Sequence, residues 1–342
     1  MQAYAVAFFI GLIASWFLVP YVRKLAIKLG ALDKPDVRKV HKNPIPRMGG
    51  LAIYIGFIIA VVASMHLTKE IIGMLIGATM IVALGIADDI YQLDAKVKLA
   101  GQIAAAAVLV LFDVKIGWIA NPIGDYVYLE YFAIPFTIIW VVSLTNVVNL
   151  IDGLDGLAAG VSIIASVTVI LVALKQGFYP AAVLTAAVAG SALGFIKYNF
   201  NPAVIFMGDT GSMFLGYILA SISILGAVKT ATTIALVVPA IALGLPIMDT
   251  AFAIMRRYSN GKPIFQPDKG HFHHRLLAMG FTQKQAVLLM YCISAVLGIS
   301  AILLTEASFS VAMVIIGVII AVVFIGAKKI GILNDTESAK TH

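Results

Sequence analysis

The stretch AIPFTIIWVVSLTNVVNLIDGLDGLAAG, residues Ala133 to Gly160, decides the fold. From Ala133 to Ile151 it has no charged side chain. Asp152, Gly153, Asp155 and Gly156 then arrive together, and a second apolar run starts at Leu157. A helix spanning a hydrocarbon core about 30 Å thick needs about 20 mostly apolar residues. A surface helix of a soluble protein shows an apolar stripe and a polar face instead. The stretch therefore reads as one membrane helix, a short polar turn and the start of the next.

Outward from there, the same reading gives eleven apolar spans. They are Ala3–Val22, Gly49–Leu67, Ile71–Ala87, Leu99–Phe112, Ala133–Ile151, Leu157–Leu174, Tyr179–Ile196, Ser212–Val228, Thr230–Ile254, Gln285–Leu304 and Ser308–Gly326. Of 342 residues, 61% are hydrophobic and 12% charged, where soluble chains average about 45–50% and about 25%. Mean hydropathy is +1.01. These values exclude a disordered chain, a soluble nucleic-acid binder and a disulfide-rich secreted domain. Cys292 is the only cysteine, so no internal disulfide can form. The first span has no basic leader before it, and its basic residues follow it, so a retained anchor is expected. The expected fold is all-α: one polytopic membrane domain over residues 1–342.

Lysine and arginine collect in cytoplasmic loops. With the N-terminus outside, Lys69, Lys115, Lys175 and Lys229 are the only ones left outside, so 20 of the 24 lie inside. The expected topology is N-out, C-in. The net charge of +7 is then mostly a topology signal, and it also suits anionic lipid heads and substrates. Residues 113–132 lie outside and are expected to form a small hairpin, with Gly117, Pro122 and Gly124 at turns. Gly156 and Gly160 have the small-residue spacing of packed helices. Pro239 and Pro246 make the ninth span the candidate for a broken helix.

Acids at a membrane are costly and need a reason. By span parity Asp88, Asp89, Asp152, Asp155 and Asp209 all reach the cytoplasmic face, as do His271, His273 and His274. The loops 23–48, 88–98, 146–155, 197–211 and 256–285 would together build one site. Two adjacent acids at a helix C-terminus oppose the helix dipole, so a cation must offset them; Lys96 and Lys98 follow. Adjacent helical residues point about 100° apart, so one Asp should face a metal or lysine and the other substrate. Asn149, Asp152 and Asp155 share a helix face pairwise, and their glycines allow close approach of a ligand. Calcium-loop, P-loop and dinucleotide fingerprints are absent. Oxygen donors beside cations suit Mg²⁺, or Mn²⁺, completed by phosphate oxygens. The three histidines lie beside Arg275, Lys269, Arg256 and Arg257. They lack the cysteines or helical His pair of a zinc site, so they read as binding phosphate or sugar hydroxyls. Asp249, inside the ninth span, reads as packing or catalytic with equal weight.

Several of these stretches together resemble one family. They are Asp33-x-Pro-x-x-Arg38-Lys-x-His41, Pro46-Arg-Met-Gly-Gly50, Asp88-Asp89 and Asn149-x-x-Asp152-Gly-Leu-Asp155-Gly. Asn199-x-x-Pro-Ala203, Phe206-Met-Gly-Asp209-x-Gly-Ser212 and His271-Phe-His-His274-Arg-Leu276 follow. In this order they resemble the polyprenyl-phosphate N-acetylhexosamine-1-phosphate transferases, most closely the bacterial undecaprenyl-phosphate GlcNAc-1-phosphate branch. That branch starts teichoic acid, O-antigen or enterobacterial common antigen synthesis. Arg47 stands where the phospho-MurNAc-pentapeptide branch usually has Thr, and His-Phe-His-His replaces its three contiguous histidines.

The resemblance implies transfer of a sugar phosphate from a UDP-N-acetylhexosamine to polyprenyl phosphate, with release of UMP, at the inner face of a bacterial plasma membrane. It implies Asp209 as the Mg²⁺ ligand and Asp88 or Asp89 as the group that activates or orients the lipid phosphate. Lys96 would contact the diphosphate, with Arg47 among the substrate-binding residues. Asn149, Asp152, Asp155 and Asn199 would hold nucleotide or metal, and Phe206 would stack on uracil. His271, His273, His274 and Arg275 would bind the sugar phosphate. Direct attack is favoured, with a covalent aspartyl intermediate as the rival. The expected partners are these two substrates and the bilayer, without nucleic acid; a homo-oligomer is left open. A transporter, the reading from another class, would place its polar groups near the bilayer midplane rather than at span ends.

Overall fold

The computed structural model describes residues 2–33, 44–120, 126–230, 234–261 and 270–329. Among the described residues, each apolar run of the sequence is helical over most of its length. The helices are α1 (Ala3–Leu29), α2 (Gly50–Ser64), α3 (Lys69–Tyr91), α4 (Ala95–Leu111), α5 (Ala133–Ile151), α6 (Leu157–Lys175), α7 (Tyr179–Asn199) and α8 (Gly208–Thr230). Then come α9 (Ile234–Ala242), α10 (Gly244–Ser259), the short α11 (Phe272–Ala278), α12 (Gln283–Leu304) and α13 (Phe309–Lys329). Local chemistry sets their ends. Thr68 caps α3, Asp94 accepts the Lys96 N–H at the start of α4, and Thr282 with Gln285 forms a capping box on α12.

Two small antiparallel ladders complete the described residues. β1 (Leu32–Asp33) pairs with β2 (Ile45–Pro46). β3 (Trp118–Ala120) pairs with β4 (Tyr126–Tyr128), Trp118 opposite Tyr128. The second is the hairpin expected in 113–132; its Pro122 and Gly124 fall outside the described residues.

Seven described helices are long and apolar enough to cross a membrane, and α9 with α10 makes eight if the pair is one span. The pair is bent by 72°, which bears out the broken ninth span. Pro246 brings no N–H to the ladder at that point, so the helix cannot continue straight. α2 has 15 residues, and at 1.5 Å each it is about 22 Å long, short of a core about 30 Å thick. The chain is an all-α polytopic membrane protein. Phe9, Ile13 and Phe17 on α1 and Val314, Val318 and Val322 on α13 are exposed, as suits surfaces solvated by lipid.

α8 lies at the centre, packed by α3, α5, α9 and α2, and its apolar span is wholly buried. Two close backbone approaches fix its N-terminus. Gly50 lies against Gly211 and Gly85 against Thr210, and neither leaves room for a Cβ. The second contact brings the end of α3, with Asp88 and Asp89, onto the start of α8. Gly156 and Gly160 pack on Tyr291 of α12, whose hydroxyl donates to the Gly156 carbonyl at 2.5 Å. Their spacing thus marks helix packing, as expected.

Candidate active site

A cavity of about 730 Å³ opens where α3, α5 and α7 end and α4, α8 and α12 begin. All five loops singled out in the sequence contribute to it. Asp33 and Arg47 come from the first, Asp88 and Lys98 from the second, Asn149, Asp152 and Asp155 from the third. Asn199, Phe206 and Asp209 come from the fourth, and His274 and Gln283 from the fifth. Arg38 and His41 of the first motif, and Lys269, fall outside the described residues.

The adjacent aspartates do have different partners. Asp88 looks into the cavity, with Lys98 Nζ at 3.3 Å, and it accepts the Leu93 N–H at 2.8 Å. Asp89 is turned away from the cavity, and its side chain is fully buried. It accepts the N–H groups of Asp209 (3.0 Å) and Thr210 (3.1 Å) and the Thr210 hydroxyl (2.6 Å). The first N–H groups of a helix lack partners within it, and a negative charge there is favoured by the dipole. Asp89 supplies both to α8. It is a cap borrowed from a neighbouring helix, and it lies off the cavity in which it was expected to handle substrate. Arg47 Nε, 3.4 Å away, balances its charge.

Asp209 faces the cavity at the start of α8, where Lys98 Nζ lies 2.9 Å away and an Arg47 nitrogen 3.9 Å away. Arg47 also reaches Asp33 at 3.6 Å. Lys98 therefore joins Asp88 and Asp209. Of the two lysines expected to offset the acid pair, Lys98 is the one that does; Lys96, expected at the diphosphate, is exposed and does not line the cavity. Two residues along a helix turn the side chain by about 200°, so only one of the pair can point inward. Asp33, Gln92, Asn201 and Gln283 are polar lining residues to which the sequence reading gave no role.

The opposite wall is the Asn149–Gly156 turn. Asn149 donates to the Ser212 hydroxyl at 2.9 Å. Asp155 accepts from Asn201 Nδ2 (2.9 Å) and the Ala203 N–H (3.0 Å). Buried Asn199 clasps the turn, accepting the Gly156 N–H (3.0 Å) and donating to the Ile205 carbonyl (3.1 Å). Asn199 and one oxygen of Asp155 are thus engaged in holding the wall. Among the described residues, no side-chain hydrogen bond or ion pair holds Asp152. Burial in the wall, and next the charge of Asp209, push its carboxyl up to about 8.

Only part of the histidine cluster reaches the cavity. His274 lines it, whereas His271 and His273 are buried behind the wall and Arg275 does not line it. Of the four residues expected to meet the sugar phosphate, the structure brings only His274 to the cavity. Two apolar neighbours in the motif explain the burial: Phe272 and Leu276 seat α11 in the core. Desolvation, and then the charge of His274, lower His273 to about 3, so its imidazole is neutral.

The donor set fits a hard divalent cation. Asp88, Asp209 and Asp152 offer carboxylate oxygens in one cavity that also holds cations able to meet phosphate. Among the described residues, no group of three acids or histidines is close enough to hold a metal alone.

Residues 71–227 match the family model described as glycosyl transferase family 4. The chain is 45% identical over 332 residues to a probable undecaprenyl-phosphate N-acetylglucosaminyl 1-phosphate transferase of Bacillus subtilis, covering 96% of this chain and 93% of the relative. It is 39% identical over 311 residues to a decaprenyl-phosphate N-acetylglucosaminephosphotransferase of Mycolicibacterium smegmatis, covering 82% and 76%. To a phospho-N-acetylmuramoyl-pentapeptide-transferase of a Thermoanaerobacter species it is 33% identical over 295 residues, covering 80% and 89%.

Proposed function

The chain belongs to glycosyl transferase family 4, among its polyprenyl-phosphate N-acetylglucosamine-1-phosphate transferases, and from that premise we propose how the cavity works. The enzyme transfers GlcNAc-1-phosphate from UDP-GlcNAc to undecaprenyl phosphate, giving undecaprenyl-diphosphate-GlcNAc and UMP. This is the first membrane step of a cell-envelope polysaccharide. One observation carries the assignment to this cavity: Asp88, Asp152 and Asp209, far apart in sequence, meet there with Lys98 and Arg47.

A phosphate monoester has a second pKa of about 6, so the acceptor is largely ionised at neutral pH and needs no base. Its oxygen attacks the β-phosphorus of the donor. A new P–O bond forms, the bond to the bridging oxygen breaks, and its electron pair leaves with UMP. Asp88 and Lys98 orient the acceptor phosphate. Lys98 and Arg47 meet the charge of the diphosphate, Phe206 stacks on uracil, Asn149 holds the nucleotide, and His274 meets the sugar phosphate. Asp209 and Asp152 would hold Mg²⁺ (or Mn²⁺), which supplies neutralisation of the diphosphate and of departing UMP. Direct displacement is preferred to an aspartyl-phosphate intermediate, because Asp89 is sealed under α8 and Asp88 is held by Lys98 and the Leu93 N–H.

Eleven crossings with the N-terminus outside would place this cavity at the cytoplasmic face of a bacterial plasma membrane, where UDP-sugars are found. The segregation of lysine and arginine supports that topology. The test is UMP release by the full-length protein in detergent, with undecaprenyl phosphate and either UDP-GlcNAc, UDP-GalNAc or UDP-MurNAc-pentapeptide. Release that needs a divalent cation and prefers UDP-GlcNAc is expected. Binding of UDP-GlcNAc without release, or preference for the pentapeptide donor, overturns the assignment.

A further inference from the structure

The broken ninth span carries a buried carboxylate that the reaction as described does not use. Asp249 on α10 is 5% exposed. Its Oδ2 lies 3.0 Å from His271 Nδ1, and its Oδ1 accepts the Phe272 N–H at 2.8 Å. Both bonds run to the first residues of α11, so this one carboxylate fixes where that helix starts. The contacts continue toward the cavity. The His271 and His273 rings are parallel within 3°, their centroids 5.8 Å apart, and the His273 and His274 centroids are 4.2 Å apart. The edge of the buried His273 ring, Nε2 foremost, lies close enough to Gly153 to leave no space for a Cβ there. Gly153 follows Asp152 in the cavity wall, and His274 lines the cavity itself.

We propose that Asp249 is a positioning residue for the donor half of the site, setting the Asp152 turn and His274 through the His271–His273 stack. The inference rests on the assignment of Asp152 and His274 to the UDP-sugar side. A buried carboxylate is tolerated when its hydrogen bonds are made, and two directional bonds give α11 one place to sit. Close-packed interiors transmit displacement. With no gap between His273 and Gly153, a shift of the ring must move the backbone beside Asp152. Misplacement of reacting groups by about 1 Å can cost on the order of 100-fold in rate.

The experiment uses the full-length protein in detergent, with UDP-GlcNAc and undecaprenyl phosphate varied separately. D249A is expected to raise KM for UDP-GlcNAc about 10-fold and to lower kcat, with KM for the lipid phosphate within about twofold of the parent. Asp88 and Lys98, which meet the lipid phosphate, stand on α3 and α4. D249N keeps an acceptor for the Phe272 N–H and should recover much of the loss. G153A presses on the same ring from the other side and should show the same donor-side defect. Because both act through one stack, the double variant should be no worse than the poorer single one. Unchanged KM values in folded D249A, equal shifts in both KM values, or multiplied defects in the double variant overturn the proposal. If D249A does not fold, D249N and G153A carry the test by the same criteria. An inactive parent protein would sink the transferase reading itself, whereas an active parent with an unshifted D249A sinks this inference alone.

Discussion

On the wall built by α3, α4 and α8, every carboxylate has a cation within reach: Asp88 and Asp209 share Lys98, and Asp89 has Arg47. On the wall built by the turn between α5 and α6, no lysine or arginine pairs with either acid among the described residues. Asp155 is held by an amide and a backbone N–H, and Asp152 is held by neither and pushed up to about 8. The first wall is already neutralised, so an incoming phosphate can take over its cations. The second carries latent negative charge that only an added cation can draw out. A transfer between two anionic substrates needs both conditions in one cavity.

The contrast breaks most sharply at Asp209, which faces both walls. Asp209→Ala should cut turnover on the order of 1,000-fold, while size-exclusion behaviour and thermal unfolding stay those of the parent. Near-native turnover would remove Asp209 from the metal assignment. The next largest effect separates the two lysines. Lys98→Ala should lower kcat/KM on the order of 100-fold, and Lys96→Ala should leave it unchanged. Equal losses would mean that α4 is rotated in the working enzyme.

Asp152 tests the uncompensated wall. With its pKa at about 8, it is mostly protonated at pH 7. A cation must displace that proton, so binding tightens as pH rises and levels off above pH 8. The Mg²⁺ concentration for half-maximal rate should fall about fivefold between pH 7 and pH 8. Asp152→Asn should flatten that dependence and raise the Mg²⁺ requirement. The same slope in both proteins would return Asp152 to a structural role.

Asp89 should behave as a stability residue. Its removal strips α8 of its cap and leaves Arg47 with one carboxylate fewer. Hydrogen bonds to a buried charged group are worth about 1.5–3 kcal/mol each. Asp89→Asn should therefore lower Tm by several degrees, whereas Asp88→Asn should lower kcat with Tm unchanged. The reverse pattern would exchange the two roles.

Much of this was legible in the sequence, and the remainder was not, for physical reasons. Apolar length announced the long helices, and span parity brought Asp88, Asp152 and Asp209 to one end. Pro246 announced the break between α9 and α10, and Gly156 with Gly160 the packing on Tyr291. What parity cannot give is which side of a helix end a residue faces. Asp89 looked equal to Asp88 because its partner, the start of α8, lies 120 residues away. Lys96 looked equal to Lys98 because both follow the acid pair closely in the chain, and the packing of α4 on α3 and α5 decides which one turns inward. His271, His273 and His274 looked like one ligand set because their spacing said nothing of Asp249, 22 residues back in the chain, or of the apolar seat made by Phe272 and Leu276.

The smallest effect concerns the stack behind the wall. His273 is lowered to about 3 by burial and by the neighbouring His274, while an unfolded histidine titrates near 6.5. Between those values the unfolded chain binds a proton that the folded protein refuses. Stability contributed by the neutral ring is therefore complete above about pH 6.5 and drains away as pH falls toward about 3. Thermal unfolding in detergent should show Tm dropping from pH 7 to pH 5. Gln at this position reaches the place of the ring nitrogen without titrating, so His273→Gln should make that part of the slope shallower. Parallel slopes in the two proteins would show that His273 takes up its proton while folded, and that the wall behind Asp152 is wetter than its packing implies.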